Sequence, residues 1–260
     1  MDTEAIIKAE YKKLNSNVLK IIAIIAMTLD HLAWAIWSGF STNPIALIFH
    51  IIGRLTCPIM CYFIAEGYHY TKNLKKYIGR MFLFAVISHF PYVFCSFSYI
   101  DAWSFLPFAH GSPFNQTGVL WGFAWGLVLI KVYDSKLKMP IKILLTFLIL
   151  AISFPADWSC IAPLVILTFW LNRGRFAKQM LGLMTWVLVY GIVYFFALDK
   201  IYGVLQLAVC LAIPILLLYN GQRGKFAKIN KFLKWVFYIY YPLHLTVIGL
   251  LLYFGVFPFF

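Results

Sequence analysis

The sequence predicts an all-α, polytopic integral membrane protein with about nine transmembrane helices, its N-terminus inside and its C-terminus outside. Of the 260 residues, 63% are apolar or aromatic and only 12% are charged, and the mean hydropathy is +0.83. Soluble domains are about half apolar and about a quarter charged, so the composition excludes that class. The apolar residues also fall in long runs, and the basic residues fall in the gaps between alternate runs.

Nine apolar runs approach the length of a membrane span, which is about 20 residues for a helix. The fifth and sixth runs are short, which leaves open that one of them is tilted, re-entrant or part of a broken hairpin. The runs lie near residues 18–38, 45–69, 77–97, 116–133, 140–154, 159–171, 179–198, 201–219 and 234–257.

Basic residues set the predicted topology. They form five clusters, only Arg54 and Lys200 lie outside them, and two predicted spans separate each cluster from the next. All five therefore lie on one side of the membrane, which the positive-inside rule makes cytoplasmic. The formal charge of +13 is thus a topology signal, and we expect no nucleic-acid partner. The clusters cover residues 8–20, 72–80, 131–142, 173–178 and 223–234.

Length leaves little room for an extramembrane domain. We expect one transmembrane domain over residues 1–260, in which residues 1–17 form a short cytoplasmic N-terminal segment. The sequence leaves the oligomeric state open.

The five cysteines predict neither a disulfide framework nor a metal site. All lie in or beside predicted spans, where cysteine usually acts as a small apolar residue. Cys57 and Cys61 share a helix face with His50, but no carboxylate or second histidine at ligand spacing joins them. We therefore expect no metal cofactor.

Small residues recur every fourth position in the fourth predicted span, at Gly118, Gly122 and Gly126. Such a stripe is typical of a face where two membrane helices approach closely. We expect it to be a packing face.

Ionisable residues within spans are the candidates for function, because they are costly in lipid and usually face a protein interior or a water-filled cavity. The candidates are Asp30, His31, Arg54, Glu66, His89 and His244.

Lys20 and His31 lie on one face of the first predicted helix. Their separation of eleven residues is about three turns, or roughly 16 Å along the axis. This spacing suits a long anionic donor, such as coenzyme A, whose phosphates stay near the cytoplasm while its reactive end reaches the membrane interior. In the alternative interpretation Lys20 only snorkels to the surface and His31 is a polar contact between helices.

Arg54 requires a partner, because an unpaired guanidinium at that depth is strongly disfavoured. Asp30 and Glu66 are the available carboxylates. The sequence leaves open whether Arg54 is a structural staple or binds substrate, and Glu66 is close enough to the interface to snorkel.

Two further histidines lie near prolines, in Ser88–Pro91 and Tyr241–His244. Proline frees backbone carbonyls, so His89 and His244 act either directly in a site or as local hydrogen-bond partners. Two basic residues, Arg223 and Lys225, lie in the loop after the eighth span. They either contact phosphate or are ordinary positive-inside charges that set the membrane topology. The sequence lacks the G-x-S-x-G and H-E-x-x-H motifs of common hydrolases.

Several segments together resemble the TraX-type integral membrane acetyltransferases, a family associated with N-acetylation of conjugative pilin. The resemblance is dense over residues 17–92 and in the last helix. Its segments are Leu19–Ala23 leading to Asp30-His31-Leu32, Gly53-Arg54-Leu55 with Pro58, Glu66–Thr71, Tyr77–Arg80, Phe84–Pro91 and Phe237–Leu245.

The resemblance implies transfer of an acetyl group from acetyl-CoA, in the bacterial cytoplasmic membrane. Lys20 and His31 also match the basic-x10-His pattern of the wider membrane acyltransferases, whose histidine is considered catalytic. The resemblance therefore implies His31 as the catalytic histidine, with Lys20 on the coenzyme A side.

The complete expected site has three parts. His31, supported by Asp30 and Arg54, is expected to carry the chemistry, with Arg54 placed to stabilise an oxyanion. The acceptor is an amine or hydroxyl, on a peptide N-terminus or an envelope glycan. Lys20, Arg223 and Lys225 are expected to bind coenzyme A, and Glu66, His89 and His244 to line the acceptor pocket.

A secondary transporter or proton-coupled carrier is the alternative function. Buried Asp, His and Arg residues are equally expected there. The two differ in outcome, because a carrier moves solute without coenzyme A and an acetyltransferase releases coenzyme A.

Overall fold

The computed structural model describes residues 13–257, so most of the expected N-terminal segment, residues 1–12, lies outside the described residues. The all-α prediction is confirmed over this range. Beyond helices, the described residues form only two isolated bridge pairs, Leu14 with Tyr219 and Thr117 with Ala156.

Eleven α-helices follow one another along the described chain, with short 3-10 turns at Ala102–Phe105 and Gln206–Leu211. They are α1 (Ser16–Ile36), α2 (Pro44–Gly53), α3 (Thr56–Tyr70), α4 (Leu74–Phe97), α5 (Val119–Asp134), α6 (Met139–Ser153), α7 (Ile161–Leu171), α8 (Phe176–Ala197), α9 (Lys200–Leu205), α10 (Ala212–Leu217) and α11 (Ala227–Tyr253).

Six helical segments in the described range are long and apolar enough to cross a membrane. Three further predicted spans correspond to α5, α6 and α7, which have 16, 15 and 11 residues. At a rise of about 1.5 Å per residue these three are shorter than the roughly 30 Å hydrocarbon core. The six long segments are Ser16–Ile36, Pro44–Tyr70, Leu74–Phe97, Phe176–Ala197, Lys200–Leu217 and Lys228–Tyr253.

The second span is interrupted where the sequence predicts one helix. It consists of α2 and α3, with a break at Arg54 and Leu55. Pro58 has no backbone N–H and cannot donate to the carbonyl of Arg54, four residues earlier, so the regular ladder fails there. The break therefore coincides with the buried guanidinium of the span.

The described chain forms two compact units, each described by itself below. The first contains the residues up to Met60 together with Val187–Tyr240, and the second contains Cys61–Trp186 together with the residues from Tyr241 onward.

In the first unit, small residues bring α1 close to α2. Leu19, Ala23, Ala26 and Ala33 form the buried stripe of α1, and Asp30 continues this stripe at helical spacing. The Thr56 hydroxyl donates a hydrogen bond to the Ala23 carbonyl at 3.0 Å. A side chain at Gly53 would fall on that of Asp30, so glycine is required where the two helices meet.

The start of α1 is tied to the loop before α11. Leu14 N–H donates to Leu218 O at 3.0 Å, and Ser16 N–H donates to Gln222 O at 2.9 Å. The Asn17 amide donates to Asn230 at 2.6 Å. These bonds hold the loop that carries Arg223 against the first turns of α1.

In the second unit, α5 packs against α4, α6 and α7. The glycine stripe is a packing face, as expected: a Cβ at Gly122 would lie 3.5 Å from Ala162 Cβ, and one at Gly126 would lie 2.6 Å from Ile166 Cδ1. At Gly118 an added Cβ would meet the Tyr241 hydroxyl.

A second close approach brings α9 against α8 in the first unit. A Cβ added at Gly203 would lie 2.6 Å from the Phe195 Cα, a backbone atom that a rotamer change cannot move. The contact fixes the position of Tyr202 and, one turn later, of Gln206.

We expect Gly203→Ala to destabilise the protein by about 1–3 kcal/mol, because the added methyl overpacks a backbone contact. Gly79→Ala is the matched control, since an added Cβ there meets nothing within 4 Å. Thermal unfolding in detergent measures both. Equal melting temperatures for the two variants would contradict the assigned contact.

Candidate functional site

A buried polar centre lies in the first unit, around Asp30 of α1. His50 Nδ1 is 2.8 Å from Asp30 Oδ1, and Arg54 Nη2 donates to both Asp30 oxygens at 3.1 and 3.3 Å. The Asp30 side chain is 18% exposed and that of Arg54 is 9% exposed. Of the two carboxylates that the sequence offered to Arg54, Asp30 thus forms the ion pair.

Protein acceptors engage all three nitrogens of the Arg54 guanidinium. Besides Asp30, Nη1 donates to Gln206 Oε1 at 3.0 Å, and Nε donates to the His50 carbonyl at 3.3 Å. The Gln206 amide in turn donates to Tyr202 O at 3.1 Å. This arrangement favours the structural staple over direct contact with an oxyanion.

His50 is fully buried beside this ion pair. Its ring centroid lies 4.7 Å from that of Trp34 and 5.2 Å from that of Tyr202. Within the described chain, its Nε2 is buried and has no hydrogen-bond partner. The imidazole is therefore bonded to Asp30 on one side and meets aromatic rings on the other.

His31 belongs to the same centre. It follows Asp30 on α1 and lies within electrostatic range of Asp30, Arg54 and His50. The three residues expected to carry chemistry, Asp30, His31 and Arg54, are thus brought together within one unit.

The residues expected to bind coenzyme A are partly brought together. Arg223 lies close enough to Lys20 to act on it electrostatically, and the Lys20 ammonium is 5.1 Å from the Phe237 ring centroid. Lys225 is exposed in the same loop. Gly224 packs against Asn17, where an added Cβ would lie 2.5 Å from the amide nitrogen.

Glu66 lies in the second unit and pairs with Arg173. Arg173 Nε donates to Glu66 Oε1 at 2.8 Å, and Nη2 donates to Oε2 at 3.2 Å and to the Tyr70 hydroxyl at 2.9 Å. The hydrogen bonds to Glu66 raise the pKa of the Arg173 guanidinium above its ordinary value. The pair connects the end of α3 to the turn between α7 and α8.

His89 is held by hydrogen bonds on both ring nitrogens. Nε2 is 2.9 Å from the Asp101 carbonyl, and Nδ1 is 3.0 Å from the Thr117 hydroxyl. Because a carbonyl only accepts, Nε2 carries a proton. The ring also stacks on Phe105 at 3.7 Å. These contacts favour the local hydrogen-bonding role for His89 and anchor the segment after α4.

His244 is buried in the second unit, with its ring centroid 5.6 Å from that of Tyr241. Among the residues that the structure describes, no group of three or more His, Cys, Asp or Glu side chains is placed to hold a metal ion.

Sequence reasoning left three members of the polar centre out of the candidate site: His50, Gln206 and Tyr202. For His50 a signal was present, since it lies one turn before Arg54 within an apolar run. Gln206 also had a signal, since a buried amide in a span requires a hydrogen-bond partner just as an ionisable group does.

We expect Asp30→Ala to lower the free energy of unfolding by about 3–5 kcal/mol, because it leaves the buried Arg54 guanidinium without its carboxylate. The double variant with Arg54→Met should recover part of this loss. Asp134→Ala is the control, since Asp134 is exposed and accepts one hydrogen bond from Tyr68. Unfolding in detergent measures the wild type, Asp30→Ala, Arg54→Met, the double variant and Asp134→Ala, and additive losses in the double variant would contradict the pairing.

Comparison with known proteins gives three results. The family model described as TraX protein matches residues 15–252. A probable fimbrial assembly protein FimC, serogroup H1, of Dichelobacter nodosus is 33% identical over 246 residues, covering 88% of this chain and 92% of that protein. An uncharacterized protein of Rickettsia prowazekii (strain Madrid E) is 34% identical over 79 residues, covering 30% of this chain and 27% of that protein.

No solved structure matches the chain significantly. The family match begins one residue before α1 and ends one residue before the end of α11, and so includes the polar centre, the loop that carries Arg223 and Lys225, and nearly all of every long apolar segment. The chain belongs to the TraX family.

Proposed function

We propose that this protein is a membrane acetyltransferase, which moves an acetyl group from acetyl-CoA to an amine or hydroxyl acceptor. The observation that carries the proposal is that one unit contains both a buried Asp/His/Arg centre and a basic pair, Lys20 and Arg223, and that α1 joins Lys20 to Asp30. Lys20 and Asp30 are ten residues apart on α1, about 15 Å along the axis. A donor with a phosphate-bearing end and a distant reactive end suits that separation.

The basic pair supports an anionic ligand. Lys20 and Arg223 repel each other, and the hydrogen bonds around Asn17 hold their two segments together despite this repulsion. A phosphate group between two such cations relieves the repulsion and forms charge-assisted hydrogen bonds. No metal is part of the proposal, and acetyl-CoA enters as a co-substrate.

The buried centre supports acyl transfer. Ion pairs and hydrogen bonds fix its side chains before substrate arrives, and preorganised groups of this kind stabilise charge that develops in a transition state. His31 is the proposed catalytic histidine, with two roles open to it: taking the acceptor's proton, or carrying the acetyl group transiently. Arg54 and Gln206 hold the centre together.

The proposed location is the bacterial cytoplasmic membrane, with about nine crossings and the five basic clusters inside. The side assigned to each cluster is the same whether α6 and α7 cross separately or form a re-entrant pair, because either arrangement returns the chain to the side it left. Acetyl-CoA then reaches Lys20 and Arg223 from the cytoplasm.

The acceptor class remains broad: a peptide amine or an envelope glycan. The Dichelobacter nodosus relative is named as a probable fimbrial assembly protein, which makes peptide amines of envelope proteins the first acceptors to test.

The proposed activity is tested in proteoliposomes supplied with labelled acetyl-CoA and two acceptor probes, a peptide with a free α-amine and glucosamine. We expect coenzyme A release together with acetyl transfer to one probe, and we expect His31→Ala to lower both by at least about 100-fold. His69→Ala, at an exposed position, is the control. Near-normal turnover in His31→Ala would refute its role, and absence of coenzyme A release in the wild type would refute the activity.

We expect Lys20→Gln and Arg223→Gln each to raise the KM for acetyl-CoA about tenfold or more, with a smaller effect on kcat, because each removes one charged contact to phosphate. Raising the salt concentration should weaken acetyl-CoA binding, seen as a higher KM, more in the wild type than in either variant. Lys200→Gln, an exposed lysine outside the basic clusters, is the matched control. A KM that does not change in Lys20→Gln would place the coenzyme elsewhere.

A carrier is the second candidate, and one observation favours it. Two helical segments are interrupted, one between α2 and α3 and the other at the 3-10 turn before α10. A hydrogen bond from Arg54 to Gln206 joins the two interruptions. Discontinuous helices commonly form the binding sites of secondary transporters. Solute flux across the same proteoliposomes without coenzyme A would establish this function in place of acetyl transfer.

A further inference from the structure

We propose that His50 is the general base that removes the proton from the acceptor, and that Asp30 orients it. This inference rests on the proposed acetyltransferase function and assigns one of its two open roles to a residue other than His31.

The hydrogen bond to Asp30 fixes the tautomer of His50. The Asp30 carboxylate is ion-paired with Arg54 and can only accept, so His50 Nδ1 must carry the proton of the 2.8 Å hydrogen bond. A neutral imidazole protonated at Nδ1 has its lone pair at Nε2. His50 therefore presents a proton acceptor on the side of the ring away from Asp30, the arrangement of a carboxylate-held histidine base.

The surroundings of that nitrogen point to a ligand. Nε2 is buried and lacks a hydrogen-bond partner in the described part of the chain. Leaving such a group unsatisfied has a desolvation cost, which a donor on a bound substrate would recover. Trp34 and Tyr202 pack beside the ring and keep its surroundings apolar, which strengthens the electrostatic interaction of the imidazole with Asp30.

The proposed step balances as follows. The acceptor's nitrogen or oxygen attacks the acetyl carbon and forms the new bond, while its proton passes to Nε2 of His50. The bond from the acetyl carbon to its donor atom breaks; that atom is a His31 nitrogen, which has taken the acetyl group from the sulfur of coenzyme A in an earlier step. Coenzyme A leaves as a thiolate that water protonates, and His50 returns its proton to water.

The variant His50→Asn distinguishes a role of His50 as a base from a purely structural role. The asparagine amide can take the place of Nδ1–H toward Asp30, whereas nothing replaces Nε2. His50→Gln is the second variant, with an amide that reaches further but cannot act as a base. His69→Gln, at the exposed histidine, is the control for both.

The measurement compares two kinds of acceptor in proteoliposomes with labelled acetyl-CoA. The peptide amine and glucosamine require a base, whereas hydroxylamine is a strong uncharged nucleophile at neutral pH and does not. We expect His50→Asn to lower transfer to the first two probes about 100- to 10,000-fold, and transfer to hydroxylamine less than tenfold. Binding of coenzyme A should be unchanged in a direct titration.

A loss for the base-requiring probes alone, in either His50 variant, supports the assignment. An equal loss for all three probes with coenzyme A binding retained would show a structural role and overturn it, and so would unchanged transfer to all three. If His50→Asn does not fold, the same comparison in His50→Gln decides. A wild type that releases no coenzyme A with any probe refutes the acetyltransferase function itself, which is a different result from failure of His50 alone.

Discussion

The ion pair between Asp30 and Arg54 is the interaction on which the first unit depends. A guanidinium inside an apolar segment is stable only when a carboxylate and further acceptors surround it. The positions of three other groups follow from this requirement. Gln206 supplies an acceptor to Nη1, the His50 carbonyl supplies one to Nε, and the His50 ring shares the carboxylate. Removing the charge from this set would leave several polar groups buried with fewer partners.

Close helix packing makes this geometry possible. Asp30 can reach both partners because Gly53 offers no side chain at the crossing of α1 and α2, and alanines line the rest of the α1 stripe. The break after α2 also contributes, since Pro58 leaves a turn of backbone near Arg54 outside the regular ladder. A uniform pair of long helices would bring neither the guanidinium nor the His50 carbonyl into the same position.

The sequence predicts the positions of the helices well but does not predict which charged side chains form ion pairs, and the reason is physical. Hydropathy alone locates apolar segments, so predicted and observed helix ends agree to within a few residues for most of them; the last helix begins seven residues earlier than expected. The interruption at Arg54 also had a signal, in Pro58. Pairing is different, because it depends on which segments lie side by side. Arg54 had two candidate carboxylates, and it pairs with Asp30, the one further away in sequence, whereas Glu66 pairs with Arg173, 107 residues away. No local pattern contains that information.

The partners of Arg54 are synthesised at different times, because they lie at different distances from it along the chain. Asp30 and His50 are within 24 residues of Arg54, so the ion pair can form as soon as the first helical hairpin leaves the ribosome. Gln206 is 152 residues further on. At a translation rate of about 5–20 residues per second, Gln206 is synthesised roughly 8 to 30 seconds after Arg54. The early carboxylate thus lets a nascent hairpin enter the lipid bilayer with its cation already neutralised, long before the remaining chain exists to shelter it.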